Sequence, residues 1–330
     1  MGETLGQIMT VFGGLGMFLV GMDELSETLE AAAGPRLKAL LAVMTRTPLR
    51  AMLAGLCVTA ILQSSSAVTV LVIGLVSAGL LGLPEAIAVL FGANVGTTVT
   101  AQLLAFRVGD AVGALLFLGF FLQFAGRKPR TKTAGQAVFA LGLLFEGLAL
   151  LDGVLAPLAA KPVLARWMAR VRQSPGLGLL LGLGMTLVVQ SSSATIAVLQ
   201  NFARQPGPDG LHSALGLAGA LPILLGDNIG TTITAVLAAA GQNRAAKQVA
   251  AAHCIFNLSG AAVCLCVLPG FTRLVEALSS EGAELDVIAR QIANAHTLFN
   301  ALCTLVWLPL LPVMVRLVTR LVPEKIREKS

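Results

Sequence analysis

The chain has 330 residues, 56% of them hydrophobic and 12% charged, with a formal net charge of +6. Soluble domains carry about 25% charged residues, so this chain has too little polar surface to cover a water-soluble globule and reads as one integral membrane domain. The excess of bases is no nucleic-acid footprint, because they fall in short loops between apolar runs, where a polytopic protein keeps them.

The N-terminus, Met1-Gly2-Glu3-Thr4, carries an acid where a signal peptide would carry bases, so the apolar run Leu5 to Met22 reads as a first span. Acids follow (Asp23, Glu24, Glu27, Glu30), then bases (Arg36, Lys38, Arg46, Arg50), and residues 23–47 predict a helix lying at the interface. The four acids read as a solvated face. From Ala51 to Pro84 there is no charge. That stretch is too long for one span of about 20 residues. The phrase Gln63-Ser64-Ser65-Ser66-Ala67 divides it, which predicts a re-entrant hairpin with a polar tip.

Glu85 to Phe106 is the next span, with an expected interruption at Gly92-Ala93-Asn94-Val95-Gly96-Thr97-Thr98, and Val108 to Ala125 is another. After the basic loop Arg127–Lys132, Thr133 to Leu151 opens a second copy. Lys161–Arg172 is a basic interfacial stretch. Pro175 to Ala203 is a second hairpin around Gln190-Ser191-Ser192-Ser193-Ala194. Leu211 to Ala240 is a second broken span around Gly226-Asp227-Asn228-Ile229-Gly230-Thr231-Thr232. Ala245 to Leu268 and Ile292 to Leu311 complete the set.

Two pairs of phrases in the same order are an internal duplication. Leu15-Gly16 and Gly21 also recur, as Leu141-Gly142 and Gly147. The frame is a single transport domain, 1–330, with repeat one at 5–125, repeat two at 131–270 and an extra C-terminal helix at 291–322. A hairpin returns to its own side, so three crossings separate the two starts and the copies lie in opposite orientation. The predicted fold class is therefore an all-α polytopic membrane protein of two inverted-topology repeats, each with a re-entrant hairpin and a broken transmembrane helix. The basic segments then share one face, which predicts a cytoplasmic C-terminus and an outside N-terminus.

Each serine tip offers one amide and three hydroxyls: Gln63, Ser64, Ser65 and Ser66, and Gln190, Ser191, Ser192 and Ser193. These neutral hard oxygens suit sodium, and the hydroxyls can also donate to an anion. Serines that merely glue helices are the plain alternative. In the second phrase the glycines permit an unwound turn. Asn94, Thr97 and Thr98, like Asn228, Thr231 and Thr232, are good helix starters. A half-helix beginning there would aim free N–H groups at the cavity, and two opposed copies would meet at one anion. A glycine kink for packing is the alternative. The residues alone reach an anion plus a hard cation.

Weaker signals lie elsewhere. Ala252-His253-x-x-Phe256-Asn257 and Ala295-His296-x-x-Phe299-Asn300 are similar phrases with His and Asn on one helix face, suited to an interhelical bond. Glu146 lies inside a span, where a charge needs a partner or a cavity. His212 reads as a loop residue. The five cysteines (Cys57, Cys254, Cys264, Cys266, Cys303) lie in apolar segments and read as inert thiols. No Walker, HExxH or nucleophile-elbow sequence supports an enzyme.

The paired phrases Gln63–Ala67 and Gln190–Ala194, with Gly92–Thr98 and Gly226–Thr232, resemble the type II sodium–phosphate cotransporter family, including its shorter bacterial members. The resemblance implies sodium-coupled transport of inorganic phosphate across the cell (inner) membrane by alternating access, and a homodimer. Sodium is the coupling ion, no other cofactor is implied, and the serine phrases line the substrate and sodium sites. On this resemblance sodium lies near Gln63, Ser65, Thr98, Gln190, Ser192 and Thr232, with Asp227 a further candidate. Asp227 departs from the pattern, since it stands where the first copy has Ala93. The loop Arg204–Gly210 lengthens the second copy, and the C-terminal soluble domain of many bacterial relatives is expected to be either missing or removed, since the sequence ends at Pro323–Ser330. A phosphate exporter, a sodium-coupled carboxylate carrier and a membrane phosphate sensor are the competing readings.

Overall fold

The computed structural model describes residues 2–33, 47–106, 109, 111–159 and 162–323. Fifteen helices carry them. The first copy holds Gly2–Ala33 (α1), Pro48–Leu62 (α2), Ser65–Ser77 (α3), Leu83–Leu104 (α4) and Ala111–Ala125 (α5). The second holds Pro129–Ala159 (α6), Pro162–Gln173 (α7), Pro175–Val189 (α8), Ser192–Ala203 (α9), Gly216–Gly230 (α10) and Thr232–Ala239 (α11). Arg244–Cys266 (α12), Leu268–Ala277 (α13), Glu284–Trp307 (α14) and Leu311–Leu321 (α15) follow. Among the described residues there is no strand, only an isolated bridge between Pro206 and Ser213.

Among the described residues, five stretches are long and apolar enough to cross a membrane: Leu5–Ala32, Leu83–Leu104, Pro129–Val154, Gly216–Ala239 and Arg244–Cys266. The pair α14 and α15 bends by 86° at its break. The all-α polytopic architecture expected from the sequence is what the chain adopts. The hairpin arms α2, α3, α8 and α9 have 15, 13, 15 and 12 residues. At about 1.5 Å per residue none of them crosses a hydrocarbon core about 30 Å thick.

Three expectations change. The acidic stretch from Asp23 is no separate interfacial helix: it continues α1 to Ala33, because Phe18, Gly21, Leu25 and Thr28 keep one helical face buried. Residues 34–46, with Arg36, Lys38 and Arg46, lie outside the described residues, as do Lys161 and 324–330. The first Gly-x-Asn span is not broken, since α4 runs unbroken through Gly92–Thr98. The second is interrupted only at Thr231, whose N–H still bonds Asp227 O at 3.0 Å.

The glycines of these phrases serve packing instead. A Cβ on Gly92 would lie 1.8 Å from Met52 O, and one on Gly226 would lie 2.0 Å from Leu179 O. From the other side, a Cβ on Gly55 would lie 2.0 Å from Val89 O, and one on Gly182 1.9 Å from Ile223 O. Each first hairpin arm is thus pressed backbone-to-backbone on its Gly-x-Asn helix, α2 on α4 and α8 on α10, at matching positions of the two copies. The missing Cβ atoms make that approach possible.

The opening helices of the copies, α1 and α6, also pack closely, and they run antiparallel. A Cβ on Gly14 would meet Gly147 O at 3.0 Å, and one on Gly21 would meet Ala140 O at 2.8 Å, so rising numbers on one helix meet falling numbers on the other. A further duplication emerges at the C-terminal end. The His-x-x-Phe-Asn phrases belong to longer matching units, because Leu268-Pro269, Arg273 and Leu274-Val275 return as Leu311-Pro312, Arg316 and Leu317-Val318. Helix pair α12–α13 therefore corresponds to α14–α15. Its first member bonds α4, through His253 and Asn94, and the first member of the later pair bonds α10, through Asn300 and Asn228.

Candidate functional site

The two serine phrases fold alike. Gln63 caps the C-terminus of α2 in the left-handed conformation (φ 55°, ψ 17°), and Gln190 caps α8 in the same way (φ 55°, ψ 22°). Both N–H groups bond a threonine carbonyl one turn back, Thr59 O and Thr186 O, each at 2.7 Å. A non-glycine residue there costs of order 1–3 kcal/mol and persists only where its surroundings hold it. The next residue then starts a new helix. Ser64 Oγ accepts from Ala67 N–H at 3.2 Å and caps α3, and Ser191 Oγ accepts from Ala194 N–H at 3.3 Å and caps α9.

Both tips line one cavity of about 400 Å³. Gln63, Ser64, Ser65 and Ser66 come from one copy, and Gln190, Ser191, Ser192 and Ser193 from the other. Leu19, Val20, Met22, Asp23 and Ser26 of α1 supply the remaining wall. The N-termini of α3 and α9 both open at the serines, so their first-turn N–H groups and positive dipole ends lie at this cavity. The role expected of the Gly-x-Asn phrases, a pair of helix starts around one ligand, thus falls to the serine phrases.

The Gly-x-Asn residues do not line the cavity. Asn94 Oδ1 lies 3.0 Å from His253 Nε2. Asn228 Oδ1 accepts from Asn300 Nδ2 at 3.1 Å. The threonine hydroxyls donate to their own helices: Thr97 to Ala93 O, Thr98 to Val95 O, Thr231 to Asn228 O and Thr232 to Ile229 O. Glu146 is partly buried on α6 away from the cavity, and His212 sits in an exposed loop beside Asp209.

The environments of the tips differ. Gln63 is buried, and its Oε1 accepts from Thr100 Oγ1 at 2.8 Å, whereas Gln190 is exposed to the cavity. Behind the second tip, Thr186 Oγ1 lies 2.6 Å from Asp227 Oδ1 and 3.1 Å from Thr195 Oγ1, which in turn donates to Ser191 O at 3.2 Å. A polar chain therefore leads from a fully buried carboxyl group to the tip. Asp227 Oδ2 has no hydrogen-bond partner among the described residues. In the first copy Ala93 and Val68 replace Asp227 and Thr195, and Thr59 Oγ1 has no hydrogen-bond partner among the described residues.

Sequence reasoning missed Asp23 and Ser26. Their signal was their three-residue spacing on a helix that continues past Met22, masked by neighbouring acids that suggested a solvated face. Ser26 Oγ donates to Leu62 O at 2.7 Å, tying α1 to the residue before Gln63.

The sequence model of the Na+/Pi-cotransporter family matches the chain over residues 17–153 and 156–303. YqeW of Bacillus subtilis, an uncharacterised protein, is 37% identical over 267 residues, which is 81% of this chain and 84% of that protein. YjbB of Escherichia coli K12, whose name proposes inorganic phosphate export, is 27% identical over 252 residues, 76% of this chain and 45% of that protein. Sodium-dependent phosphate transport protein 2B of Pongo abelii is 32% identical over 121 residues, 33% of this chain and 18% of that protein. The chain thus spans less than half the length of the last two. No solved structure matches it.

Proposed function

The chain belongs to the Na+/Pi-cotransporter family, and from that membership we propose that it is a sodium-coupled secondary transporter of inorganic phosphate working by alternating access. The observation that carries this reading is the shared cavity, where both serine tips meet. Phosphate binds there between the starts of α3 and α9, on hydroxyl and first-turn N–H donors. Sodium takes neutral oxygens beside it: Ser65, Ser192, the two glutamine amides and tip carbonyls. Asp227 is the coupling group of the second copy. A fully buried carboxylate with one hydrogen bond is costly unless it gains a proton or a cation. The chain through Thr186 and Thr195 makes either event felt at Ser191.

The antiparallel packing of α1 on α6 supports inverted repeats at 5–125 and 131–270 within one domain, with the segment around 291–322 serving α10 as α12 serves α4. The C-terminus is cytoplasmic and the N-terminus outside, from the placement of the bases. The protein acts in the bacterial inner membrane as a homodimer. A second reading, net phosphate export by the same machinery, is favoured by the name of the YjbB relatives. Counterflow of radioactive phosphate into proteoliposomes tests the reading. Exchange that depends on sodium is expected. Exchange indifferent to sodium would remove the coupling, and no exchange would remove phosphate as the substrate.

A further inference from the structure

Among the described residues, Asp23 is the only charged one lining the cavity between the serine tips, and no basic one lines it. It is no bystander on a loose helix. Ser26, on the same face of α1, is bonded to Leu62 O immediately before the left-handed Gln63, so α1 is fastened to the tip that forms the opposite wall. An oxyanion in this cavity meets hydroxyl and N–H donors from both tips. From α1 it meets an acceptor.

That combination is selective. An ionised carboxylate has lone pairs and no proton to give. Against a bare anionic oxygen it is repulsive, and against an oxygen bearing a proton it forms a short charge-assisted hydrogen bond. Phosphate near neutrality keeps at least one proton on oxygen, and arsenate does the same. Sulfate has the same tetrahedral shape and keeps none. We propose that Asp23 is the specificity-determining residue of the cavity, accepting a hydrogen bond from the protonated oxygen of the substrate, so that the site takes hydrogen-bearing tetrahedral oxyanions and rejects sulfate. The repulsive partner does the rejecting, as specificity by an unfavourable contact requires. This inference rests on the phosphate-transport reading and sharpens its substrate class.

The test uses full-length protein in proteoliposomes at fixed sodium. Uptake of labelled phosphate is measured against rising unlabelled arsenate or sulfate, for wild type, Asp23→Asn and Asp23→Ser. Binding of the same three anions is measured in detergent from the rise in unfolding temperature, so that a variant that folds but does not transport is still read. Wild type should be inhibited by arsenate and not by sulfate. In Asp23→Asn the amide can donate to a bare oxygen, so inhibition by sulfate should strengthen by roughly ten- to a hundredfold while arsenate changes little. Asp23→Ser should lose discrimination in the same direction, which guards against a folding defect peculiar to one variant. Variants that exclude sulfate as wild type does, or that change only the sodium dependence, overturn the inference and make Asp23 a cation ligand or a wall. Wild-type protein that neither moves nor binds phosphate overturns the parent reading instead.

Discussion

The two serine tips share a backbone and differ in what stands behind it. At the first, Gln63 is buried and bonded to Thr100, Thr59 Oγ1 has no partner among the described residues, and the neighbouring positions are Ala93 and Val68. At the second, Gln190 is open to the cavity, and Thr186 is engaged by Asp227 and Thr195. Duplication preserved what the turn needs: a left-handed glutamine and a serine cap. It did not preserve the polar neighbourhood, so the first tip is anchored and the second carries a buried acid. The two halves are alike as scaffolds and unlike as chemistry.

The largest effects should fall on what the halves share. Gly92→Ala and Gly226→Ala each drive a Cβ into a backbone carbonyl, which cannot swing aside as a side chain can. Each should cost about 3 kcal/mol or more, at or beyond the upper end of ordinary overpacking, and lower the yield of folded protein to a similar degree. Gly74→Ala is the control. Nothing lies within 4 Å of its Cβ position inside α3, so that change should be neutral or stabilise by about 0.4–1 kcal/mol. Unfolding in detergent, followed by size-exclusion chromatography, measures all three. If Gly92→Ala were tolerated and Gly226→Ala were not, the copies would not be equivalent scaffolds.

These glycines also show where the sequence stops speaking. A glycine is useful either because its backbone bends freely or because its Cβ is absent, and the letter is the same in both cases. Gly-x-Asn-x-Gly beside threonines read as an unwound turn. Only the helix lying across it, with Met52 O or Leu179 O against the gap, shows that the missing Cβ is what counts. The serine tips were legible because a polar run inside an uncharged stretch has few explanations, and its recurrence removes chance. Asp23 was not, because an acid at the end of an apolar run looks solvated until a second wall is set opposite it. The match between α12–α13 and α14–α15 is written in the sequence beyond the Ala-His-x-x-Phe-Asn phrases, but Leu-Pro, Arg and Leu-Val lie in the following helix of each pair, and the helix breaks show that they belong to the same unit.

Loss of a tip hydroxyl should have a smaller effect than loss of either packing glycine. Ser65→Ala and Ser192→Ala each remove one hydroxyl from the shared cavity. Loss of about 0.5–3 kcal/mol of ligand contact weakens sodium-dependent phosphate uptake by up to roughly a hundredfold at subsaturating substrate. Normal uptake by both would make the tips purely structural.

The difference between the tips can be measured with one conservative change made twice. Thr186→Val takes the hydrogen bond from Asp227 and should destabilise by about 1–3 kcal/mol. Thr59→Val removes a hydroxyl that already has no partner, and should be neutral or slightly stabilising, within about 1 kcal/mol. Equal losses would mean that the acid contributes nothing to the second tip. Asp227→Asn then separates structure from coupling. It should alter the sodium or pH dependence of uptake more than the phosphate affinity at saturating sodium. Superimposable curves, normalised to expression, would leave Asp227 as a buried acid without a coupling role.

The smallest effect belongs to the loop that only the second copy has. Between α9 and α10, Asp209 Oδ1 accepts from the N–H groups of Leu211 and His212 at 3.0 Å each, and Asp209 Oδ2 lies 2.6 Å from His212 Nδ1. The hydrogen bonds from His212 hold the Asp209 carboxyl well below its ordinary 3.8. The hydrogen bond to Asp209, and then its charge, raise His212 above its ordinary 6.5. The signs follow by linkage. What Asp209 contributes is present above its unfolded pKa and fades as pH falls through its lowered folded value. What His212 contributes is present below its unfolded pKa and fades as pH rises through its raised folded value. The loop is therefore most ordered between about pH 4 and about pH 6.5, and loses order above that range as His212 deprotonates. Both side chains are exposed, so salt should weaken the effect. Histidine titration by NMR should place His212 above an ordinary histidine, and Asp209→Asn should return it. The amide protons of Leu211 and His212 should exchange faster in that variant, while the turn between α3 and α4 in the first copy, which has no such pair, keeps its rates. A His212 that titrates normally in the wild type would mean that the side-chain pair adds nothing, and that the loop is held by the N–H bonds to Asp209 Oδ1, the Pro206–Ser213 bridge and the Ser213 cap on α10.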